Sequence, residues 1–337
     1  MKQKLLLLAA VFAGFSATAQ VLESEDFSAY TVGDVTADIT GATAGQGEYL
    51  TFVSAGGATT DFQIVDEAGT HGNVFQMTGS ATATGTRYMW KATFPDVWSF
   101  RDAGNDILEV EYDFYTGPVT TSKNTMRLLA FDSTGTKFLG GLMFTQNTKV
   151  LSGLSYYDNA GTLGNYSFNP TTGAVALAAD TWVRIGFSFN KTTGQVLCKG
   201  PGLNMQIPGA ALGTEPAEID YISSAGTGNV LASTGKFDNV VVKAAATDSL
   251  LGVQTAAIAS SISVYPNPAT DVITISNVGN TAITSLVVAD VNGRIVKQVA
   301  ADNIGNQAIS IADLTSGVYF LTIKSSEGTT VEKLIKN

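Results

Sequence analysis

The sequence predicts an all-β protein built from sandwiches of antiparallel sheets, and three observations predict it. Apolar and polar residues alternate at period two: Leu108, Val110, Tyr112 and Phe114 share one strand face while Glu109, Glu111 and Asp113 take the other, and Val183, Ile185, Phe187 and Phe189 repeat the pattern. Turn signals such as "DSTGT", "NPTTG" and "NKTTG" separate these runs. No apolar stripe of helical period is long enough to matter, and 35 glycines with only 14% charged residues favour strands joined by turns over helix or disorder.

The elements follow in order. "MKQKLLLLAAVFAGFSATAQ" has two lysines before an apolar run and small residues at 17–19, the layout of a secretory signal peptide spanning 1–19. The run is about half the ~20 residues of a spanning helix, and nothing later is longer, so no transmembrane span is expected. Residues 20–245 read as a first sandwich, with its clearest strands at 73–79, 86–94, 106–117, 124–132, 138–145, 181–190, 194–200 and 236–244. Residues 246–260, "ATDSLLGVQTAAIAS", are small-residue rich and are expected to form a linker. Residues 261–337 then form a smaller, immunoglobulin-like sandwich with strands at 272–276, 285–299, 307–311, 317–324 and 330–337; Asn292-Gly293 supplies the positive φ angles of a tight hairpin.

Composition excludes several functions. Residues 21–250 carry 23 acids against 12 bases, a balance of −11 that repels phosphate, so no nucleic-acid partner is expected. Cys198 is the only cysteine, so no internal disulfide forms, and it reads as a buried small hydrophobe. His71 is the only histidine, which leaves Ser-His-Asp catalysis and multi-histidine zinc sites without their parts.

The second unit contains "VYPNPATD", "DVNGRIV", "LTSGVYFLTI" and a basic ending, "VEKLIKN". With these motifs it resembles the type A C-terminal sorting domain of the bacterial type IX secretion system. The resemblance implies passage through the outer membrane of a Gram-negative cell, with the secretion machinery as partner, and delivery to the cell surface or the exterior. In physical terms, Pro266 and Pro268 hold Asn267 extended and remove strand donors. Gly293 and Gly317 are expected at turns closed to other residues. Tyr319 alternates inward with Leu321 and Ile323, and Lys333 and Lys336 leave the last strand basic.

The first unit, through "EDFSAYTVGD", "DTWVRIGFSFNKTTGQV" and "KFDNVVVKA", resembles the concanavalin A-like jelly-roll superfamily of lectins, glucanases and laminin-G-like modules. That architecture hosts binders and hydrolases alike. The expected function is a non-catalytic module that binds polysaccharide or another surface ligand. A glycoside hydrolase and a structural or adhesive surface protein are the alternatives. "EVEYD" at 109–113 departs from the Glu-x-Asp-x-Glu strand of jelly-roll glucanases, so Glu109, Glu111 and Asp113 read as a solvated acidic sheet face before a catalytic one. For stacking on sugar rings, Tyr156, Tyr157 and Tyr166 in a Gly- and Asn-rich loop, together with Trp98, are the expected contacts; Tyr88 and Trp90 share one strand face and read as core. Asp238 falls in phase with Val240 and Val242, at the rim of a core face. Glu25 and Asp26 would join it around a structural Ca²⁺ if the first and last strands pair; otherwise Asp238 accepts backbone N–H groups in a turn.

Overall fold

The computed structural model describes residues 19–251, 262–277, 283–290, 294–303, 307–325 and 328–337; the expected signal peptide, save its last residue Ala19, and the Asn292-Gly293 turn fall outside them. The chain divides into two units between Leu251 and Gly252. In the first, one sheet runs in the order Leu203–Ile207, Val196–Gly200, Trp182–Asn190, Ile107–Tyr115, Thr234–Ala245, Asn73–Thr78, Phe62–Asp66 and Gly33–Asp34, with Gln20–Glu25 also paired to Thr234–Ala245. The other runs Thr162–Phe168, Val150–Asn159, Phe138–Thr145, Thr125–Asp132, Pro216–Ser224, Thr86–Lys91 and Tyr49–Ser54, with Val175–Ala176 against Val150–Asn159. All pairings are antiparallel, as period-two patterning requires.

The core lies between these nine- and eight-stranded sheets. Leu108, Val110, Tyr112 and Phe114 from one sheet and Met126, Leu128 and Ala130 from the other are all buried there. Phe237 sits at its centre, with ring centroids 5.2 Å from Phe114 and 5.2 Å from Tyr221. Cys198 is fully buried, and desolvation pushes its thiol up to about 12, which makes it an inert core residue. Gln20–Glu25 pairs with Thr234–Ala245, so first and last strands meet.

Three expectations change. Residues 86–94 are not one strand: it ends at Lys91, and a short helix, Phe94–Ser99, follows with Pro95 in its first turn. The tyrosine-rich stretch is not a loop but a hairpin of Val150–Asn159 and Thr162–Phe168. Residues 246–251 do not behave as linker. Leu250 is fully buried, Ser249 donates its N–H and hydroxyl to Glu109, the Leu251 N–H donates to Glu111 at 3.0 Å, and Lys199 Nζ donates to the Leu250 carbonyl at 2.7 Å.

The second unit packs Ile262–Tyr265, Val272–Asn277 and Gln307–Ser310 in one sheet and Ile295–Asn303, Ile283–Asp290, Gly317–Ser325 and Gly328–Lys336 in another. Tyr319, Leu321 and Ile323 point into its core with Ile273, Ile275 and Leu334. The Tyr265–Pro266 and Asn267–Pro268 peptides are cis. Asn267 Nδ2 donates to the Lys333 carbonyl at 2.6 Å and its Oδ1 accepts the Ile335 N–H at 2.9 Å, so the segment is stitched to the terminal strand. That strand is a sheet edge, where the exposed Lys333 discourages further pairing. Gly317 does not sit in a left-handed turn. A Cβ there would meet nothing closer than 3.8 Å, because the residue begins an ordinary strand.

Candidate functional site

The eight-stranded sheet is apolar on both faces. Its inner residues join the main core, but Leu129, Phe131, Leu154 and Ile222 form a separate buried cluster on the outer face, with Tyr88, Phe138 and Met143 packed against it. A sheet face with its own aromatic and charged side chains, away from the core, is where a binding site would lie.

Register builds that face. Phe52 pairs with Tyr88, Tyr88 with Ile222, and Ile222 with Arg127, so one row crosses four strands. On the next positions Trp90 follows Tyr88, and Asp220 and Glu218 precede Ile222, all at period two and therefore on the same side. A Cβ at Gly41 would meet the Trp90 ring at 3.0 Å, and Gly41 has φ +79°, so a glycine there lets the loop approach the indole. The turn at 132–138 supplies a wall. Asp132 ties it by accepting the N–H groups of Thr136 and Lys137, and Asn165 latches it, accepting the Phe138 N–H at 2.9 Å and donating to the Thr136 carbonyl at 2.8 Å.

The row, Trp90, Glu218, Asp220, Asn165 and the 132–138 turn line an open cavity of about 470 Å³ on this face. Its polar groups are unusual. Asp220 is only 3% exposed, and its Oδ1 has no hydrogen-bond partner. Burial, then the charge of Glu218 and a hydrogen bond to it, raise the Asp220 carboxyl to about 9, so Asp220 keeps its proton and donates it to Glu218. Burial raises Glu218 too, while the Asp220 hydrogen bond opposes that. Arg127 Nε is also buried without a partner. The site thus combines aromatic rings, one guanidinium and a carboxyl pair sharing a proton.

The residues singled out from sequence lie elsewhere. Glu109 and Glu111 are not solvated: they are 0% and 3% exposed. Residues 248–251 close over them, and Glu111 accepts from Lys243 at 2.7 Å while Arg184 reaches both Glu111 and Asp113. The acidic row is a neutralised, covered face. Trp98 is 3% exposed and donates its indole N–H to Glu215 at 2.7 Å, with Arg101 over its ring, so it cannot offer a stacking face. Tyr157 packs edge-on against Tyr166 and Phe168. Tyr156 shares a face with its cross-strand partner Asn165, under Lys137, and is the hairpin tyrosine on the side of the cavity. Tyr88 and Trp90 do share a face, but it is the cavity and not the core.

The three calcium candidates do not converge. Glu25 is engaged by Tyr30 and Lys91, and Asp26 caps Ser28. Asp238 accepts the Asn239 N–H at 2.7 Å and holds His71 Nδ1 at 2.6 Å, the His71 ring lying 4.0 Å from that of Trp182. Among the described residues no three His, Cys, Asp or Glu side chains are grouped to hold a metal.

The strand that carries Glu218 and Asp220, "PAEIDYISS", escaped the sequence reading. Its signal was present: Glu218, Asp220 and Ile222 alternate with Ile219, Tyr221 and Ser223. Mixed polarity on one face and Pro216 at its start hid it.

Residues 263–337 match the family model described as a secretion system C-terminal sorting domain. This domain engages the type IX machinery and marks the chain for export to the cell surface or the extracellular space. A comparison with curated proteins gave no match. Among solved structures, the chain is similar to a sialidase at 9% identity and TM-score 0.39, over 63% of this chain and 18% of the sialidase's length. It is similar to the binding domain of a botulinum neurotoxin DC in complex with rat synaptotagmin II at 8% identity and TM-score 0.38, over 84% of this chain and 68% of the other. A family 7 alginate lyase A1-II′ follows at 11% identity and TM-score 0.37, covering 57% and 85%.

Proposed function

We propose that the first unit is a non-catalytic glycan-binding module, carried out of the cell by the sorting domain, and that it binds through the cavity on the outer face of its eight-stranded sheet. The observation that supports this is the convergence of Tyr88 and Trp90 with Arg127, Glu218 and Asp220 around one cavity. Aromatic rings offer apolar faces to sugar C–H groups, and a few fixed polar groups orient the hydroxyls. A carboxylate acceptor beside a carboxylic acid donor suits hydroxyls, which both donate and accept.

The test is retention of the full chain on a panel of polysaccharides, with released reducing ends measured in the same samples. Trp90→Ala and Tyr88→Ala should each weaken retention by about 0.5–1.5 kcal/mol, roughly 2–12-fold, with melting temperature little changed. Undiminished retention in both variants would remove the cavity from the argument. Release of sugar, lost in Glu218→Gln, would replace the binding module with a hydrolase.

A further inference from the structure

We infer that the cavity selects a carboxylate-bearing sugar, a uronate unit of an acidic polysaccharide, with Arg127 receiving the carboxylate; this rests on the glycan-binding reading above. The chain has five arginines. Four pair with carboxylates: Arg87 with Asp61, Arg101 with Asp106 and Glu215, Arg184 with Glu111 and Asp113, and Arg294 with Asp290. Arg127 has no ion pair or hydrogen bond among the described residues, and its Nε is buried. A guanidinium does not lose its proton to relieve burial, so this half-buried one, with Nε buried and unpartnered, gains from an anion that reaches it. The two carboxyl groups of the same cavity do not serve, because Glu218 and Asp220 are engaged with each other.

The second orphan is Asp220 Oδ1, which is buried and partnerless beside the same space. A uronate ring answers both. Its carboxylate is planar and takes the fork of a guanidinium at two points. Its hydroxyls can reach Asp220 and Glu218, and its ring face meets Trp90 or Tyr88. A neutral sugar would offer Arg127 hydroxyl acceptors but no counter-charge. The acidic body disfavours polyanions at long range, but at physiological salt that field fades over about 8 Å, so selectivity falls to the cavity.

The experiment measures retention of the chain from Gln20 to Asn337 on polygalacturonate and polymannuronate, on both polymers after carboxyl reduction, and on dextran sulfate. Wild type, Arg127→Met, Arg127→Lys and Trp90→Ala are compared, each with a melting curve. At least one polyuronate should bind tenfold or more tightly than its reduced form and than dextran sulfate. Arg127→Met should erase that difference while retaining the reduced polymer, and Arg127→Lys should keep part of it. Equal binding of native and reduced polymers, or preference for sulfate, overturns the uronate assignment and leaves glycan binding standing. Retention on none of these polymers, or retention untouched by Trp90→Ala, overturns the uronate assignment at this cavity, while the wider polysaccharide panel decides glycan binding. If Arg127→Met does not fold, the wild-type comparison of native and reduced polymers decides alone.

Discussion

Asp220 illustrates how a single residue can set a site's chemistry. Its carboxyl titrates near 3.8 in an unfolded chain and is raised to about 9 in the fold, by burial first and by Glu218 second. Between these values the folded protein holds a proton that the unfolded chain has released. Stability contributed by this residue is therefore complete below about 3.8 and is lost as pH rises toward 9, the reverse of an ion-paired aspartate. Asp220→Asn keeps a donor for Glu218 and has no proton to lose. Its melting temperature should fall less than that of the wild type between pH 5 and 8.5, with an advantage at the upper end of at least ~1 kcal/mol, or about 2–4 °C. Parallel pH profiles for the two proteins would contradict the protonated state. Glu109 also carries a raised carboxyl through burial, opposed by its bonds to Ser249, so the comparison between variants, not the wild-type curve alone, isolates Asp220. Among the candidate residues, aromatic type and acidity could be read from sequence. Accessibility could not: Trp98 and Trp90 are both tryptophans near one strand end, yet one is sealed by Glu215 and Arg101 while the other lines the cavity.

At the scale of elements, the segment 246–251 acts as a strap over the nine-stranded sheet. Ser188 holds Asp248, Ser249 and Leu251 satisfy Glu109 and Glu111, and Leu250 packs so closely that a Cβ at Gly186 would meet its Cδ1 at 2.9 Å. The buried carboxylates depend on this cover, because an unpaired buried charge is expensive. Leu250→Ala should cost about 2–4 kcal/mol in urea unfolding of the first unit, the usual range for a buried leucine. A loss below ~0.5 kcal/mol would return the segment to the role of linker. Nothing in "TDSLLG" announces this docking: small residues suit a linker and a strap equally, and only the acidic row beneath distinguishes them. Strands with one clean apolar face, such as Ile107–Tyr115 and Trp182–Asn190, were legible within a residue or two. Pro216–Ser224, whose outer face mixes Glu218, Asp220 and Ile222, was not.

For the whole molecule, the sorting domain at 263–337 governs delivery. A chain ending before Ser261 lacks the sorting domain matched at 263–337 and should remain inside a Gram-negative host that has type IX machinery. Fractionation of surface, medium and cell contents measures this, and export equal to that of the full chain would contradict it. The amino-acid sequence alone determined the two all-β units and the route of export, because period-two patterning, turn residues and a motif set such as "VYPNPATD" are local and survive without knowledge of the fold. Tertiary structure alone decided where binding chemistry gathers. Phe52, Tyr88, Arg127, Asn165 and Asp220 come from five strands whose order in the sheet is not their order in the chain. Antiparallel register, not sequence distance, sets which side chains meet across such a sheet. The choice of which sheet face is covered and which stays open depends on loops packed from elsewhere in the chain.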